Sequence, residues 1–400
     1  MKFRLGEEYL DNLDNFDLVI RTPGIPYLNQ KIQQARNQGA IITSQTKLFF
    51  DLCPAKIIGI TGTKGKGTTA SLIFRILMKK FIGISVNVYL AGNFGVDPFE
   101  FLDELKKDDE IVYEMSSFQL QDMGRSPHIA VVLNITDDHL DYHQDAREYI
   151  QAKYQIVAHQ KPGDVAVINA DYIKSFAFAG ITQADIWWFS LQKEVETGAF
   201  LQNGKVKLAY NGAKEEICKV SDLRLRGRHN LENILASILV GRILGSRINQ
   251  IARAVKTFDP LEHRLEPVLE RKGIVGVNDS YATNPEATIS ALDAFPHPIL
   301  ICGGKSKGLK FSRLGKAIAK KAKRAILLGE NQREIFEAIP YAHRRKAVLV
   351  DDLEQAVDKA VEIAKKGDTI LFSPASASFD QFSNASERGQ KFKELIIKYL

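Results

Sequence analysis

Short segments rich in β-branched residues alternate with helical stretches along most of this 400-residue chain. Each segment precedes a turn and then a helix, which is the rhythm of parallel sheets wrapped by helices. The pattern predicts an α/β fold with strands at Asp17–Ile20, Lys56–Ile60, Ile111–Tyr113, Ile129–Asn134, Val165–Ile168, Pro298–Cys302, Ala325–Leu328, Ala347–Val350 and Thr369–Ser373.

The length of the chain exceeds that of a typical single core, so two or three domains are expected. We place boundaries near Pro54 and Pro260, which gives segments 1–54, 55–260 and 261–400. The first segment is small for an independent domain. It contains one predicted strand, a tight loop, a helix at Leu28–Asn37 and a strand at Ala40–Thr43.

The composition excludes several classes of protein. The chain has 54 Lys and Arg residues and 48 acidic ones, which gives a mild net charge of +6. The sequence contains no basic tract of the kind that would indicate a nucleic-acid partner. The three distant cysteines match no zinc spacing and fit a reducing compartment. No apolar run reaches the roughly 20 residues of a membrane helix, and the N-terminus shows no signal peptide. We therefore expect a cytoplasmic protein without nucleic-acid or membrane partners.

A glycine-rich turn, T-G-T-K-G-K-G-T-T at residues 61–69, joins the strand Lys56–Ile60 to an apolar helix at Ala70–Met78. Strand, glycine-rich turn and helix is the arrangement in which backbone N–H groups bind phosphate oxygens. Lys66 is then positioned to neutralise β- and γ-phosphates. The match to G-x-x-x-x-G-K-[ST] is imperfect, since Ile60 and Gly67 depart from it, and a glycine-rich turn without function is the alternative.

The turn resembles the shortened G-T-[NK]-G-K loop of the Mur ligases and of their relative folylpolyglutamate synthase. The resemblance implies a three-domain architecture with a partial Rossmann-like N-terminal segment, a central P-loop ATPase-type α/β domain and a C-terminal Rossmann-like domain. It also implies an ATP-binding loop made by Gly62, Thr63, Lys64, Gly65, Lys66, Gly67, Thr68 and Thr69. Because the folate enzymes use the hydroxyl after an extra glycine, Thr68 is the Mg²⁺ candidate.

Three further residues form the expected metal site. Glu114 ends a strand and opens E-M-S-S-F-Q-L, which resembles the D-glutamate-adding branch of the family; taken alone, it could also be a capping or ion-pairing residue. His139 stands in N-I-T-D-D-H-L-D, similar to the family's N-x-[ST]-x-D-H-x-D, although a lone histidine is more often structural. Lys153 reads as a solvated helix lysine. Only the resemblance implies that CO₂ carbamylates Lys153 into a metal ligand, which requires a neutral amine. Two Mg²⁺ ions are expected.

The resemblance also identifies nucleotide contacts later in the chain. G-R-H-N-L-E-N at residues 227–233 is similar to the family's G-x-H-N-x-x-N, which implies that Asn230 helps seat ATP and Asn233 contacts adenine. Asn230 could equally cap a helix. Arg264, in L-E-H-R, matches a family arginine that reaches the ATP phosphates, and Asp279 is a further nucleotide-binding candidate.

The C-terminal motifs favour the D-glutamate branch. N-D-S-Y-A-T-N-P at residues 278–285 resembles that branch's N-D-S-K-A-T-N-P, with Tyr281 in place of lysine. Thr283, Lys307 and Ser378 match residues that bind the incoming amino acid, and Ala385 stands where the branch has an aromatic residue.

Two further motif matches concern the nucleotide-sugar substrate that accepts the amino acid. Thr22 and Gly24 belong to T-P-G-I, similar to the family's loop beside the UDP diphosphate, and Asn93 lies in a match to G-N-[IF]-G near the sugar nucleotide. The first segment resembles a shortened form of the family's UDP-binding domain, so uracil contacts are expected to be mostly lost.

Taken together, the resemblance implies an ATP-dependent ligase that joins D-glutamate to UDP-N-acetylmuramoyl-L-alanine through an acyl phosphate, acting as a monomer. Lys66, Glu114, His139, Lys153 and Arg264 are the expected catalytic residues. Two alternatives remain: a Mur-type or folylpolyglutamate-type ligase with another acceptor, and a degenerate homologue that binds ATP without turnover.

Overall fold

The computed structural model describes residues 5–6, 8–22, 24–80, 86–92, 96–136, 144–306 and 308–400. The chain divides into two compact units: Met1–Leu223 with Glu232–Thr257, and Arg224–Leu231 with Phe258–Leu400. No helix in the described ranges is long and apolar enough to cross a membrane.

The first unit contains a two-stranded parallel sheet and a nine-stranded sheet. Its strands are β1 (Leu18–Arg21), β2 (Ile41–Ser44), β3 (Lys56–Thr61), β4 (Val88–Gly92), β5 (Glu110–Glu114), β6 (Ile129–Val132), β7 (Val165–Asn169), β8 (Asp185–Ser190), β9 (Gly198–Gln202), β10 (Lys205–Tyr210) and β11 (Ala213–Lys219). Its helices are α1 (Gln30–Asn37), α2 (Gln45–Leu52), α3 (Lys66–Lys80), α4 (Ser117–Leu120), α5 (Ala146–Ala158), α6 (Ile173–Phe176), α7 (Arg228–Ile243), whose first turn belongs to the second unit, and α8 (Ile248–Lys256).

The order of strands in the large sheet is β11-β10-β9-β8-β7-β6-β3-β5-β4, parallel from β4 to β9 and antiparallel from β9 to β11. Strand β3 lies between β5 and β6, so the strands that follow it in sequence are added on both of its sides. Ligands of open α/β sheets bind at such a switch point, beyond the carboxyl ends of the strands. The turn at residues 62–65 lies there.

The second unit is a six-stranded sheet of order β12-β13-β17-β14-β15-β16, in which only the β12–β13 pair is antiparallel. Its strands are β12 (Glu266–Arg271), β13 (Ile274–Asn278), β14 (Ile299–Gly303), β15 (Arg324–Leu328), β16 (Ala347–Leu349) and β17 (Thr369–Phe372). Its helices are α9 (Pro285–Ala294), α10 (Ser312–Lys321), α11 (Gln332–Ala338), α12 (Leu353–Ile363) and α13 (Ala385–Tyr399). Two apolar clusters form its core: α9–α11 contribute to one, and α12 and α13 to the other.

Side-chain caps explain where many helices start. An Asn, Ser or Asp side chain accepts a backbone N–H of the first turn in each case, which satisfies a donor that has no intrahelical partner. These caps are Asn29, Ser44, Ser116, Asp145, Asn284, Asp352 and Asn384.

The ten predicted strands, including Ala40–Thr43, are all present, with ends shifted by no more than two residues, and the α/β fold class is confirmed. The antiparallel hairpins β9–β10, β10–β11 and β12–β13 lie outside the predicted parallel pattern. The helix expected at Ala70–Met78 begins earlier, at Lys66, so its first turn lies in the glycine-rich turn itself.

Candidate functional site

The lysine of the candidate phosphate loop forms hydrogen bonds with the backbone of the same loop. Lys66 is the first residue of α3, and its Nζ donates to the carbonyl oxygens of Gly62 at 3.2 Å and Thr63 at 3.3 Å. Gly65 has a φ of +87°, and a Cβ there would lie 2.2 Å from Oδ1 of Asn233. Only glycine meets both requirements without strain. The loop therefore holds an ammonium group against its own backbone at the start of a helix, where anions bind.

Residues that follow β6 brace this loop. The N–H of Thr63 donates to the carbonyl of Asn134 at 2.7 Å, and the N–H of Lys64 donates to Oδ1 of Asn134 at 3.2 Å. The Thr63 hydroxyl also donates to the Thr136 carbonyl at 3.0 Å, and it accepts from the Thr136 N–H at 2.9 Å. Two loops at the carboxyl edge of the sheet are thus fixed to each other.

Lys153 lies on α5, and its side chain points toward the phosphate loop. Its side chain is buried, and its Nζ donates to Oγ1 of Thr61 at 3.2 Å and to the carbonyl of Gly62 at 3.1 Å. The ring of Tyr149, one helical turn earlier, lies 4.8 Å from this Nζ. The interpretation of Lys153 as a solvated helix lysine is therefore wrong. Since the Gly62 carbonyl accepts from both Lys66 and Lys153, the structure brings these two candidates together.

Glu114 ends β5 and pairs in register with Ile60 on β3 and with Gly92 on β4. The residue is 6% exposed, and its carboxylate makes no hydrogen bond or ion pair to any described residue. Capping of α4 is performed by Ser116 instead. A nearly buried carboxylate without a partner is costly unless something else compensates it, so Glu114 is the strongest metal-ligand candidate in the described chain.

The two threonines at the start of α3 differ in surroundings. Thr68 is 7% exposed, whereas Thr69 is fully buried and its hydroxyl has no hydrogen-bond partner among the described residues. Both lie in the first turn of the helix that follows the loop. The geometry leaves Thr68 as the hydroxyl that a small cation can reach more easily.

The two asparagines of the α7 motif have different roles. Asn233 is 3% exposed and lies against Gly65, within reach of the phosphate loop. Asn230 does not cap the helix: it lies inside α7, and its Nδ2 donates to the carbonyl of Arg226 at 2.7 Å. Asn230 belongs to the second unit and Asn233 to the first.

Within the second unit, Asp279 follows β13 and is held by protein groups. Its Oδ1 accepts from the N–H of Leu265 at 3.2 Å, and its Oδ2 accepts from the hydroxyl of Ser373 at 2.8 Å. The guanidinium of Arg264, the residue before Leu265, lies 5.2 Å from the centre of the Tyr281 ring. Arg264 is exposed and Tyr281 is 39% exposed. Tyr281 therefore gives Arg264 a cation–π contact.

His263 is a buried anchor beside Arg264. Its Nδ1 lies 2.8 Å from Nδ2 of Asn278, and burial lowers the pKa of its imidazole. Glu262, His263 and Glu266 could geometrically hold a metal ion, but the Lys393 ammonium pairs with both glutamates at 2.8 Å. A lysine therefore already occupies the space between the two carboxylates of this cluster.

Arg388 connects the loops that carry the amino-acid candidates. Its guanidinium donates to the hydroxyl and carbonyl of Ser280 at 3.1 and 2.8 Å, and to the carbonyls of Ser376 and Ala377 at 3.0 Å each. Burial lowers its pKa to about 10. Next to this network, Ser378 is buried and its hydroxyl makes no hydrogen bond to a described residue, while Thr283 is exposed.

Three predicted site residues, Asn93, His139 and Lys307, lie outside the described residues. Thr22 and Gly24 are described, and both are exposed in the loop after β1. Their surroundings are open: a Cβ added at Gly24 would meet no atom within 4 Å.

Tyr149 and Arg388 belong to these sites although neither was among the predicted site residues; Arg388 matches the D-glutamate branch in sequence, but no role was predicted for it. The Tyr149 hydroxyl lies 3.0 Å from Oγ1 of Thr63, so it contacts the phosphate loop as well as Lys153. Its position four residues before Lys153 on a helix was a usable signal, because such residues share a face.

Two family profiles match the chain: the Mur ligase middle domain over residues 60–241 and the Mur ligase glutamate ligase domain over residues 263–376. The chain is 38% identical over 404 residues to the UDP-N-acetylmuramoylalanine–D-glutamate ligase of Acetivibrio thermocellus, covering 99% of this chain and 86% of that protein. It is also 38% identical to the ligase of the same name from Clostridium novyi, with the same two coverages.

Solved structures show the same fold at low identity. The MurF ligase of Thermotoga maritima in complex with ADP superposes with a TM-score of 0.65 at 19% identity, covering 98% of this chain and 100% of that one. MurF from Acinetobacter baumannii gives 0.68 at 16% identity, covering 91% and 87%. From its profile matches and its identity to these relatives over nearly its whole length, the chain belongs to the Mur ligase family.

Proposed function

We propose that this protein joins D-glutamate to UDP-N-acetylmuramoyl-L-alanine with hydrolysis of ATP, as a cytoplasmic step of peptidoglycan precursor synthesis. The observation that carries the proposal is 38% identity over 99% of the chain to ligases of that name. The protein acts as a monomer on small-molecule substrates. We retain the division into an acceptor-binding segment (1–54), an ATP-binding segment (55–260) and an amino-acid-binding segment (261–400).

A carboxylate does not react with an amine at neutral pH until it has a leaving group. Transfer of the γ-phosphoryl group to the carboxylate of the acceptor's L-alanine gives an acyl phosphate, and the amine of D-glutamate then displaces phosphate. The protein contributes positioning and charge neutralisation. Lys66 and Arg264 supply positive charge to the phosphates. Residues 62–69 and Asn230, Asn233 and Asp279 bind the nucleotide.

The donor set fits Mg²⁺, since the Glu114 carboxylate has no protein partner and the Thr68 hydroxyl lies in the first turn of α3. Hard oxygen ligands of this kind suit Mg²⁺. When bound, the metal neutralises charge on the phosphates. His139 and a carbamylated Lys153 complete the proposed set for two ions.

The carbamate forms when the neutral Lys153 amine adds to CO₂ and releases a proton. The product is an anion whose one remaining N–H can keep either the hydrogen bond to Oγ1 of Thr61 or the one to the Gly62 carbonyl, both of which Nζ makes before carbamylation. Carbon-13 NMR after exposure to labelled bicarbonate should show a carbamate signal that Lys153→Ala lacks. Short carboxylates should partly restore ligation to that variant. Absence of both results would remove carbamylation from the proposal.

The incoming D-glutamate is bound by Lys307, Thr283 and Ser378, and the acceptor by Thr22, Gly24 and Asn93. Ligation of radiolabelled D-glutamate, L-glutamate, meso-diaminopimelate and D-alanine to UDP-muramoyl acceptors tests this assignment. D-glutamate with UDP-N-acetylmuramoyl-L-alanine should be the preferred pair. Preference for another amino acid would assign the protein to another branch of the family. ATP binding without any ligation would favour the interpretation as a degenerate homologue that lacks turnover.

A further inference from the structure

A buried ion pair connects the first residues of the chain to the segment that follows Glu114. Nη2 of Arg21, the last residue of β1, lies 2.8 Å from Oδ1 of Asp122, and the two side chains are 0% and 4% exposed. The residues are 101 positions apart in sequence. Both belong to the first unit.

The same guanidinium holds the loop that follows β1. Nη1 of Arg21 donates to the carbonyl of Ile25 at 2.6 Å, and Ile25 closes a turn by donating its own N–H to the carbonyl of Thr22 at 3.1 Å. Farther along, the N–H of Tyr27 donates to Oε1 of Gln121 at 3.2 Å. Ile25 is therefore held to Asp122 through Arg21, and Tyr27 is held to Gln121 directly.

This ion pair is an inefficient way to stabilise a fold. Nε of Arg21 and Oδ2 of Asp122 are buried and have no hydrogen-bond partner in the described part of the chain, and each such group carries a desolvation cost. Replacing a buried ion pair with apolar residues is often neutral or stabilising. What apolar residues could not replace is the directed hydrogen bond to the Ile25 carbonyl, so the pair fixes the geometry of the loop.

The loop that it fixes has room for a ligand. Thr22 and Gly24 are exposed, and a Cβ added at Gly24 would meet no described atom within 4 Å apart from its chain neighbours. The backbone φ of Gly24 is outside the left-handed region, so the fold itself does not require glycine there.

We propose that Arg21 is a positioning residue which, held by Asp122, presents the turn at residues 22–25 to the diphosphate of the nucleotide-sugar acceptor. This inference rests on the proposed function. Arg21 does not itself touch the substrate in this assignment, because its side chain is fully buried.

The test compares R21M, D122L and the double variant R21M/D122L with the parent. Each single variant leaves one buried charge unpaired and should lower the melting temperature. The double variant should recover most of that loss. Its KM for UDP-N-acetylmuramoyl-L-alanine should nevertheless remain at least tenfold above the parent's, with KM for ATP unchanged. R125M is the matched control, because Arg125 lies three residues after Asp122 and forms an exposed ion pair with Asp51 at 2.8 Å instead; its acceptor KM should equal the parent's.

A double variant with the parental acceptor KM, or with KM for ATP raised equally, overturns the proposal while leaving the proposed function intact. A parent that does not ligate this acceptor at all is a failure of the proposed function instead. Hydrogen exchange separates the two cases without substrate. The Ile25 amide should exchange faster in R21M/D122L than in the parent, and unchanged protection overturns the positioning role whatever the acceptor.

Discussion

The phosphate loop of the first unit and the loops around Arg388 in the second unit both direct a cation at backbone carbonyls, but they differ in which groups remain without partners. Beside the phosphate loop, the Glu114 carboxylate and the Thr69 hydroxyl have no partner among the described residues. Around Arg388, the guanidinium makes four hydrogen bonds, and the Asp279 carboxylate accepts from Leu265 and Ser373.

This difference separates two ways of building a site. Unpaired groups cost free energy that a ligand can recover on binding, so the phosphate-loop corner is suited to strong charge interactions with a nucleotide and metal. A fully paired network instead fixes the shape of the loops that present Thr283 and Ser378. We therefore expect substitutions in the first region to reduce chemistry with little effect on folding, and substitutions in the second to affect folding and binding together.

The largest effect is expected for Lys66→Ala. The Lys66 side chain is only half-buried, and its Nζ bonds to loop carbonyls, so the melting temperature should change little. The rate of ATP-dependent ligation should fall by about 10³-fold, as for the loss of a single electrostatic stabiliser. Lys79→Ala, near the other end of the same helix, is the control and should keep parental activity. More than a few per cent of the parental rate in Lys66→Ala would contradict the assigned role.

Arg388→Met tests the second region. The substitution keeps an unbranched apolar chain but removes the donors to Ser280, Ser376 and Ala377. Leaving buried carbonyls unpaired should cost about 3 kcal/mol of unfolding free energy, and KM for D-glutamate should rise more than KM for ATP. Urea unfolding and steady-state kinetics measure the two quantities. Parental stability with a lower kcat alone would show that the comparison between the regions is wrong.

The glycine-rich turn and the end of β5 could be predicted from sequence because their signals are local. A strand, a glycine-rich turn and a helix must be adjacent, and Glu114 follows directly from the end of its strand. The antiparallel hairpins were not predicted, although the sequence contains residues that are typical of hairpin turns. Asn203-Gly204 and Asn211-Gly212 all have positive φ, the conformation that favours Asn-Gly in two-residue hairpin turns.

Long-range pairs could not be predicted in the same way. Arg21 and Asp122 carry no pattern that relates them, and their pairing depends on how β1 packs against a loop 101 residues later. The replacement of the family's lysine by Tyr281 was visible in the sequence. Its contact with Arg264 was not, because Arg264 precedes β12 and Tyr281 follows β13, and only the folded hairpin brings the two residues together.

Glu110, at the opposite end of β5 from Glu114, is a second carboxylate that is nearly buried. It is 6% exposed, and its Oε2 has no partner in the described chain. Burial raises its pKa from 4.5 to about 7. Between these values the folded protein holds more protons than the unfolded chain, so the free energy of unfolding falls as pH rises from about 4.5 to 7.

Glu110→Gln should therefore stabilise the protein by about 2–3 kcal/mol at pH 8 and by little at pH 4.5. Ligation should be unaffected, because Glu110 lies at the end of the strand away from the phosphate loop. Urea midpoints at the two pH values measure the effect. Equal stabilisation at both pH values would show that ionisation of Glu110 is not its source, and lost activity would show that an unpaired carboxylate at either end of β5 serves function.

The smallest effect is expected at Tyr281. If its ring holds Arg264, Tyr281→Phe should match the parent in KM for ATP, because the hydroxyl is not part of the cation–π contact. Tyr281→Ala should raise that KM by about two- to fivefold, which corresponds to the 0.5–1 kcal/mol of an exposed contact. Arg264→Ala should mask the effect, so adding Tyr281→Ala to it should change nothing further. Additive losses in the double variant would mean that the two residues act separately. The Tyr281 ring also lies edge-on to the ring of buried His263, with ring centroids 5.4 Å apart. Tyr281→Phe should therefore keep the parental melting temperature, and a drop of several degrees in Tyr281→Ala would assign the ring to folding as well.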